Sequence, residues 1–220
     1  MWYDRDILGL WTKAEGLIYL DFDREKHVIT WDELPKDDKG NLALKNFFAG
    51  QDWGYNHPGV LGLYAFDILG TCYRLLEIAE RQKGPEWWRT QVLGLYKIYG
   101  DFPVYCPHDR PDLKNDYSDA GIIAENADTT PGSVKAGIYW CAEQYKIENA
   151  FKIVGEKNEN FLKEIRGYRW SDKLSKEEPI KEMDDSMDSD RYARYTHIAH
   201  LNVANIIMYD EVNDGMPGMV

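Results

Sequence analysis

Three aspartates occupy positions in this sequence from which they could do chemistry together. Asp52 follows the apolar run NFFAGQ and precedes WG, at the end of a predicted strand. Asp109, in YCPHDRPD, comes just past another predicted strand, and Asp188 lies at the start of the last predicted helix. Ligand sites in α/β sheets gather at the carboxyl ends of strands, and a helix N-terminus favours an anion. Such carboxylates can converge on one or two Mg²⁺ or Mn²⁺ ions.

Each of these aspartates also has a purely structural explanation. Asp52 and Asp109 could be turn residues, and Asp188 or Asp185 could simply cap the last helix. Their spacing alone does not decide between a metal site and ordinary turn and cap residues. Glu77, on a predicted strand, is a weaker candidate, for which a solvent-facing role is favoured.

The acidic stretch EMDDSMDSDRYARY (182–195) contains the last of the three aspartates. Asp184 and Asp185 are candidate outer ligands or caps, and Asp190 is predicted to be only solvated. The following residues belong to the helix that would hold Asp188 in place: Arg191, Tyr192 and Tyr195.

Other catalytic motifs are missing from the sequence. It contains no Gly-rich phosphate loop, G-x-S-x-G elbow or H-E-x-x-H motif. His197 and His200 stand at i, i+3 and could ligate a metal, although partly exposed helix histidines are more often inert. The three cysteines form no C-x-x-C pair, which fits a reducing cytoplasm and argues against disulfides or a thiolate zinc site. Cys106 is assigned to the core.

Composition sets broad limits on what the protein does. The 220 residues, 44% of them hydrophobic, suffice for one substantial core. The sequence has no apolar run of about 18 residues, so no membrane span is expected, and its first residues lack the order of a signal peptide. The net charge of −12 argues against nucleic-acid binding unless bound cations reverse the charge locally.

Hydrophobic periodicity and turn residues predict a mixed α/β sheet. Residues 1–45 are interpreted as a linker segment with short strands in LIYLDF and HVITW, and a boundary is placed near Lys45. Three strands (46–54, 60–67, 72–80) then form an antiparallel meander. Further elements are a helix at 85–100, a strand at 102–107, a helix within 112–121, a strand at 122–126, a helix at 131–145, a strand and a helix within 149–170, a charged loop at 172–182 and a final helix at 189–207.

Four segments, in order, resemble the C-terminal nuclease domain of the large terminase subunit of tailed bacteriophages. ILGLWTKAEGLIYLDFD with HVI is similar to the segment that joins the ATPase motor to the nuclease. AGQDWGYNHPGVLGLYAFD resembles the first hairpin with its catalytic aspartate, and VYCPHDRPDL the next strand and acid. GYRW, EEPIKE and DDSMDSDRYARY resemble the closing signature of the family.

The resemblance implies an RNase H-like fold, with a mixed sheet flanked by helices on both faces, and specific metal ligands. Asp52 matches the first metal-binding aspartate and Asp188 the last. Asp109 is assigned as the middle acid, although in relatives this acid directly follows the strand, where the present chain has Pro107. Asp185 stands where relatives often have a histidine and could be a further ligand.

The implied activity is metal-dependent endonuclease cleavage of concatemeric DNA during viral DNA packaging, by two-metal phosphodiester hydrolysis with Mg²⁺ or Mn²⁺. The implied partners are double-stranded DNA, the terminase ATPase domain, the small terminase subunit and the portal, without a membrane, in the cytoplasm of the infected bacterial host. The sequence has no Walker A motif, so residues 1–45 are expected to follow an ATPase domain absent from this chain, residues 46–210 to form the nuclease domain and residues 211–220 a tail. DNA contacts are expected from Lys152, Lys157, Lys163, Arg166 and Arg169.

Two alternatives stay open at this point. Another RNase H-like nuclease, such as a junction resolvase, would share the acidic cluster, but it would not be expected to carry the segment 1–45 or GYRW. A catalytically silent packaging or docking module would use the same acids as caps.

Overall fold

A computed structural model describes residues 16–171 and 178–199 of the chain. Its strands are β1 (Val28–Ile29), β2 (Lys45–Asp52), β3 (Gly59–Phe66), β4 (Cys72–Glu80), β5 (Val104–Cys106), β6 (Ala124–Asn126) and β7 (Phe151–Val154). They form one seven-stranded sheet in the order β1-β7-β4-β3-β2-β5-β6. Its helices are α1 (Arg24–His27), α2 (Pro85–Tyr99), α3 (Pro111–Asp119), α4 (Ser133–Gln144), α5 (Glu159–Glu164) and α6 (Asp185–Arg194), and α6 continues as a π-helical turn (Tyr195–Ala199).

The predicted antiparallel meander is confirmed as the centre of the sheet. β3 pairs antiparallel with both β2 and β4, and all its residues are buried. The other strand pairs among the described residues are parallel, so β2 and β5 end at the same edge of the sheet. Residues that follow β2 and β5 therefore share one edge, as ligand sites in α/β proteins commonly require.

Helices cover both faces of the sheet, which confirms the predicted mixed α/β architecture. On one face, Leu61 and Leu63 of β3 pack with Trp88 and Val92 of α2. On the opposite face, β2 and β3 pack against α4, α5 and α6 through a second cluster that includes Phe48, Tyr64, Ile138, Phe161 and Met187. A sheet that buries both faces needs apolar residues on both, which explains the nearly continuous apolar run in β3.

Helix α2 shows how local sequence signals fix an element. It begins at Pro85, whose missing N–H is not needed in the first turn, and ends before Gly100, which adopts φ +78°. Its buried residues lie on one face: Val92 follows Trp88 by four positions, and Leu95 and Tyr96 follow Val92 by three and four. The bounds predicted from the sequence are correct within one residue.

The residues before Lys45 contribute to the same sheet and core. β1 pairs in parallel with β7, as expected for a strand in HVITW, and Ile18 and Tyr19 are buried in the core. The strand predicted in LIYLDF is wrong, because Leu17 forms only an isolated bridge with Arg169. β2 begins at Lys45, and the domain boundary near this residue stays a prediction.

The last helix begins earlier than predicted. It starts at Asp185 instead of 189, and Ser186 to Arg194 are all buried. Its sequence DSMDSD has few apolar residues, so hydrophobic periodicity underestimates this first turn. Residues 200–207 of the predicted helix, together with His200 and the tail at 211–220, lie outside the described residues. No helix among the described residues is long and apolar enough to cross a membrane.

Candidate metal centre

Helix α6 crosses the end of β2 in very close contact. A Cβ atom on Gly50 of β2 would lie 2.2 Å from the carbonyl oxygen of Ser189 and 2.9 Å from the Cβ of Ala193. The hydroxyl of Ser189 donates a hydrogen bond to the carbonyl oxygen of Gly50 at 2.9 Å. Only glycine permits this approach, and the approach brings the first turn of α6 beside Asp52, the last residue of β2.

Two carboxylates and one imidazole converge at this point. One ligand atom from each of Asp52, His57 and Asp185 lies within 4.8 Å of the others. Nδ1 of His57 is 2.6 Å from Oδ1 of Asp185. His57 belongs to the turn between β2 and β3, and Asp185 is the first residue of α6. Three separate segments therefore supply the cluster.

Asp188, one turn further along α6, is held by two cations. Nη2 of Arg191 lies 2.9 Å from its Oδ1, and Nζ of Lys181 lies 3.0 Å from its Oδ2. Lys181 also reaches Oδ2 of Asp184 at 3.2 Å. The side chain of Asp188 is buried but not isolated from solvent, since Lys181 itself is exposed.

The pKa values of the neighbouring acids are driven apart. Burial, and then the negative charges of Asp188 and Asp185, raise the pKa of Asp52 well above its ordinary value. Burial opposes ionisation of Asp188 too, but Arg191 and Lys181 outweigh it and lower its pKa. Burial raises the pKa of Asp185, against the influence of His57. Such divergence between adjacent carboxyl groups is frequent at functional sites.

The donor set fits a divalent cation. Carboxylate oxygens suit Mg²⁺ and Mn²⁺, and imidazole is among the commonest nitrogen ligands of metals in proteins. A cation beside Asp52 would also favour its ionised form, which the surrounding acids disfavour. Asp52, His57 and Asp185 are thus the residues that would hold a metal ion.

The structure places the three predicted aspartates differently. Asp52 and Asp188 are close enough for the charge of one to raise the pKa of the other. Asp109 lies in the turn after β5, at the same edge of the sheet as Asp52, where it is exposed and is not a member of the cluster. The extra ligand predicted at Asp185 lies in the cluster.

His57 is the member of the cluster that the sequence analysis did not identify. It lies in YNHPG, between the strands predicted at 46–54 and 60–67. The sequence signal for His57 is its short separation from Asp52. A tight hairpin keeps a residue five positions after Asp52 near the end of β2. Gly54 makes this turn possible, since a Cβ there would lie 2.3 Å from the carbonyl oxygen of Pro58.

Two predicted solvent-facing acids are buried instead, and both predictions were wrong. Asp190 is 1% exposed, accepts a hydrogen bond from Tyr64 and pairs with Arg194 and Arg74. Glu77 pairs with Arg74 and accepts hydrogen bonds from the backbone N–H groups that begin α5. Arg74 pairs with both carboxylates inside the protein: it lies on the same strand as Glu77 and reaches Asp190 from a distant segment.

The remaining histidine prediction concerns His197. Its ring stacks on Phe48 with centroids 4.0 Å apart, and its Nδ1 lies 2.8 Å from the hydroxyl of Tyr105. Burial lowers the pKa of His197 to about 4, so the ring is neutral near pH 7. It serves as a packed aromatic residue, in line with the favoured interpretation.

The basic residues predicted to bind DNA lie on β7, in the turn between β7 and α5, on α5 and beyond its end. Two of them, Lys163 and Arg166, line a groove of about 540 Å³ with Arg24, and the same groove is lined by three glutamates, Glu33, Glu156 and Glu159. Nζ of Lys152 donates to the carbonyl oxygen of Lys26. β4 and β3 separate β7 from β2, so these residues are not next to Asp52 in the sheet.

Comparisons with known proteins identify the fold. No protein-family sequence profile and no curated protein sequence matches the chain at a significant level. The large terminase from the thermophilic bacteriophage D6E is similar in structure, with a TM-score of 0.71 and 21% identity over 92% of this chain. This chain covers 49% of that protein, which is about half its length.

Two isolated nuclease domains are also similar. The large terminase nuclease domain of P22 has a TM-score of 0.64 and 25% identity, and the match covers 84% of this chain and 93% of the other. The nuclease domain of the large terminase from bacteriophage SPP1, solved with bound Mn, has a TM-score of 0.60 and 19% identity, covering 77% and 96%. The resemblance found in the sequence is confirmed: this chain has the RNase H-like fold of the nuclease domain of phage large terminases.

Proposed function

We propose that the chain is the nuclease domain of a phage DNA-packaging terminase, a divalent-metal-dependent endodeoxyribonuclease that cuts concatemeric DNA. The observation that carries the proposal is the convergence of Asp52, His57 and Asp185 within 4.8 Å beside Asp188, on the fold of terminase nucleases. An acid cluster on an unrelated fold would be weaker support, because exposed acidic groups often occur together without a metal.

Each residue of the site has a proposed role. Asp52, His57 and Asp185 would hold the cation, and Asp188 would add a further negative charge next to Asp52. Asp109, in the turn after β5 at the same edge of the sheet, is proposed as the third acid. The group to be held would be Mg²⁺ or Mn²⁺, with two ions expected, and when bound it would supply the Lewis acidity for two-metal phosphodiester hydrolysis.

The cations of the site control the protonation of its acids. Lys181 and Arg191 keep Asp188 ionised despite burial, so it retains a negative charge next to Asp52. The contact between His57 and Asp185 orients both side chains toward Asp52. These contacts preorganise the ligands, which reduces the reorganisation needed when DNA and metal bind.

The proposed setting follows from the same likeness. The substrate is double-stranded DNA, and the partners are a terminase ATPase domain, a small terminase subunit and a portal in the cytoplasm of an infected bacterium. The present chain corresponds to about half of the D6E large terminase, so translocation of DNA is assigned to the ATPase half of such a protein.

Nicking of supercoiled plasmid tests this function. We expect conversion to open circles in Mn²⁺ or Mg²⁺, no conversion in EDTA, and loss of activity in Asp52→Ala and Asp185→Ala. Asp38→Ala, at an exposed loop position, is the matched control and should cut like the wild type. A folded wild-type protein that does not nick DNA with either metal would point to the silent docking module instead.

A further inference from the structure

A groove of about 340 Å³ opens beside the metal centre, and its lining differs from that of the groove beside α5. It lies between the β2–β3 turn, the β4–α2 turn and the start of α3. His57 belongs both to its lining and to the metal cluster. The groove is therefore continuous with the site proposed to cut DNA. The lining residues used below are Trp53, Tyr55, Lys83, Trp88 and Arg110.

Charge distinguishes this groove from the surface predicted to bind DNA. None of its lining residues is acidic, and Lys83 and Arg110 contribute two cations. The groove beside α5 contains three glutamates as well as its basic residues. In a protein with a net charge of −12, a groove lined by two cations and no carboxylate should repel a polyanion less than the groove beside α5, although Asp112 pairs with Arg110.

Aromatic residues give the groove a second feature suited to nucleic acid. Trp88 is buried, Trp53 is half-buried and packs edge-on against Tyr117, and Tyr55 is 61% exposed. Exposed aromatic rings next to cations are the usual platform on which unpaired bases stack. A volume of about 340 Å³ falls within the range of about 300–1,000 Å³ typical for small organic ligands.

The turns that carry these residues are tied together. The backbone N–H of Gln82 donates to the carbonyl oxygen of Tyr55 at 3.0 Å, which links the β4–α2 turn to the β2–β3 turn. Nζ of Lys83 lies 5.1 Å from the ring centre of Trp87, and Arg110 forms a two-point pair with Asp112 while remaining half-exposed. Both cations are thus positioned at the groove and remain accessible to a phosphate.

From these features, and on the basis of the proposed nuclease function, we infer that this groove binds one nucleotide of the DNA strand next to the cleaved phosphate. The ring of Tyr55 stacks on the base, and Lys83 and Arg110 contact the flanking phosphates. The strand must be locally unpaired there, because a base that is paired in a duplex cannot enter a groove of this size.

Fluorescence anisotropy with a labelled single-stranded oligonucleotide in EDTA and low salt tests the inference without cleavage. We expect Tyr55→Ala to weaken binding about fivefold or more, since loss of one stacked base has this effect, and Tyr55→Phe to bind like the wild type. Lys83→Ala should weaken binding and reduce the slope of log affinity against log salt by about one. Lys39→Ala, at an exposed loop position outside both basic surfaces, is the matched control and should change neither quantity.

An abasic oligonucleotide and a blunt duplex complete the test. On the abasic strand, Tyr55→Ala should bind with the same affinity as the wild type, because no base is present to stack on Tyr55. The wild-type protein should bind the duplex more weakly than the single strand. Wild-type affinity in both Tyr55→Ala and Lys83→Ala, or a wild-type protein that does not bind the strand, overturns the inference. If Asp52→Ala abolishes nicking while the groove variants bind normally, only the groove assignment fails. If no metal supports nicking while the groove variants lose affinity, only the nuclease proposal fails.

Discussion

Two aspartates on helix α6, Asp188 and Asp190, have opposite surroundings although they stand two residues apart. Successive helical residues turn by about 100°, so the two side chains leave the helix on different sides. Asp188 points to the edge of the sheet, near Asp52, with exposed Lys181 as one of its partners. Asp190 is 1% exposed and is enclosed by Tyr64, Arg74 and Arg194.

The difference shows that burial of a carboxylate does not by itself indicate a functional site. Asp190 is satisfied by the protein and has no access to a ligand. Asp188 belongs to a group of acids in which burial and mutual repulsion raise the pKa values of Asp52 and Asp185, while Arg191 and Lys181 lower that of Asp188. One side of α6 therefore contributes to the proposed function and the other to stability, and substitutions should separate the two.

The largest effect on stability is expected at Asp190. Asp190→Ala would leave the guanidinium of Arg194 buried without its main partner, which typically costs about 3–5 kcal/mol. Urea unfolding should show a lower midpoint and a lower free energy of unfolding. Asp38→Ala, at an exposed position, should leave both unchanged. Equal stability of Asp190→Ala and the wild type would contradict the structural role assigned to this side of the helix.

The next largest effect on stability is expected at Glu164, whose side chain contacts the start of α6. Its Oε2 accepts the backbone N–H of Ser186 at 2.8 Å, and burial, with the charges of Asp185 and Glu77, raises its pKa from 4.5 to about 7. The folded state thus binds the proton more tightly than the unfolded state. Stability should fall as the pH rises from 4.5 through 7, by about 3 kcal/mol for this group.

Glu164→Gln removes that dependence. Thermal unfolding in EDTA should show the variant more stable than the wild type at pH 8, with the difference disappearing toward pH 4.5. Glu159→Gln, at an exposed position of the same short helix, is the control and should show no such trend. A constant difference between Glu164→Gln and the wild type at all pH values would argue against a raised pKa.

A smaller loss of stability is expected from Gly50→Ala, which affects both sides of α6. The new Cβ would overlap the carbonyl oxygen of Ser189, and overpacking of this kind costs about 1–3 kcal/mol. Because the helix must move away from β2, the nicking activity should fall by more than the decrease in the folded fraction would explain. Gly94→Ala, where no atom lies within 4 Å of the new Cβ, should keep wild-type activity. Wild-type nicking by Gly50→Ala would show that the close approach is not needed for the site.

Local sequence signals predicted most of the elements that carry the site. The strands of the central meander and helix α2 have clear periodicity and turn residues, so their positions were found. Asp52 and Asp188 were selected for their places at a strand end and a helix start. The first turn of α6 was missed because its acidic and serine residues give no hydrophobic period.

What the sequence did not reveal depends on contacts between distant segments. The burial of Asp190 requires Arg74 and Tyr64 from two strands, although its i, i+4 spacing to Arg194 was a local sign of pairing. His57 gains its role only when α6 brings Asp185 beside the first hairpin turn. Glu77 looks like an ordinary strand residue until the start of α5 is placed against it.

The most direct test of the metal centre is calorimetric titration of Mn²⁺ into the wild-type protein and its variants. We predict that Asp52→Asn and Asp185→Asn each weaken Mn²⁺ binding at least about tenfold, since even loss of a residue that only supports a metal ligand costs about 10–100-fold. Asp109→Asn should slow nicking while leaving this affinity little changed. If Asp52→Asn and Asp185→Asn bind Mn²⁺ as tightly as the wild type, the cluster of Asp52, His57 and Asp185 is not the metal centre.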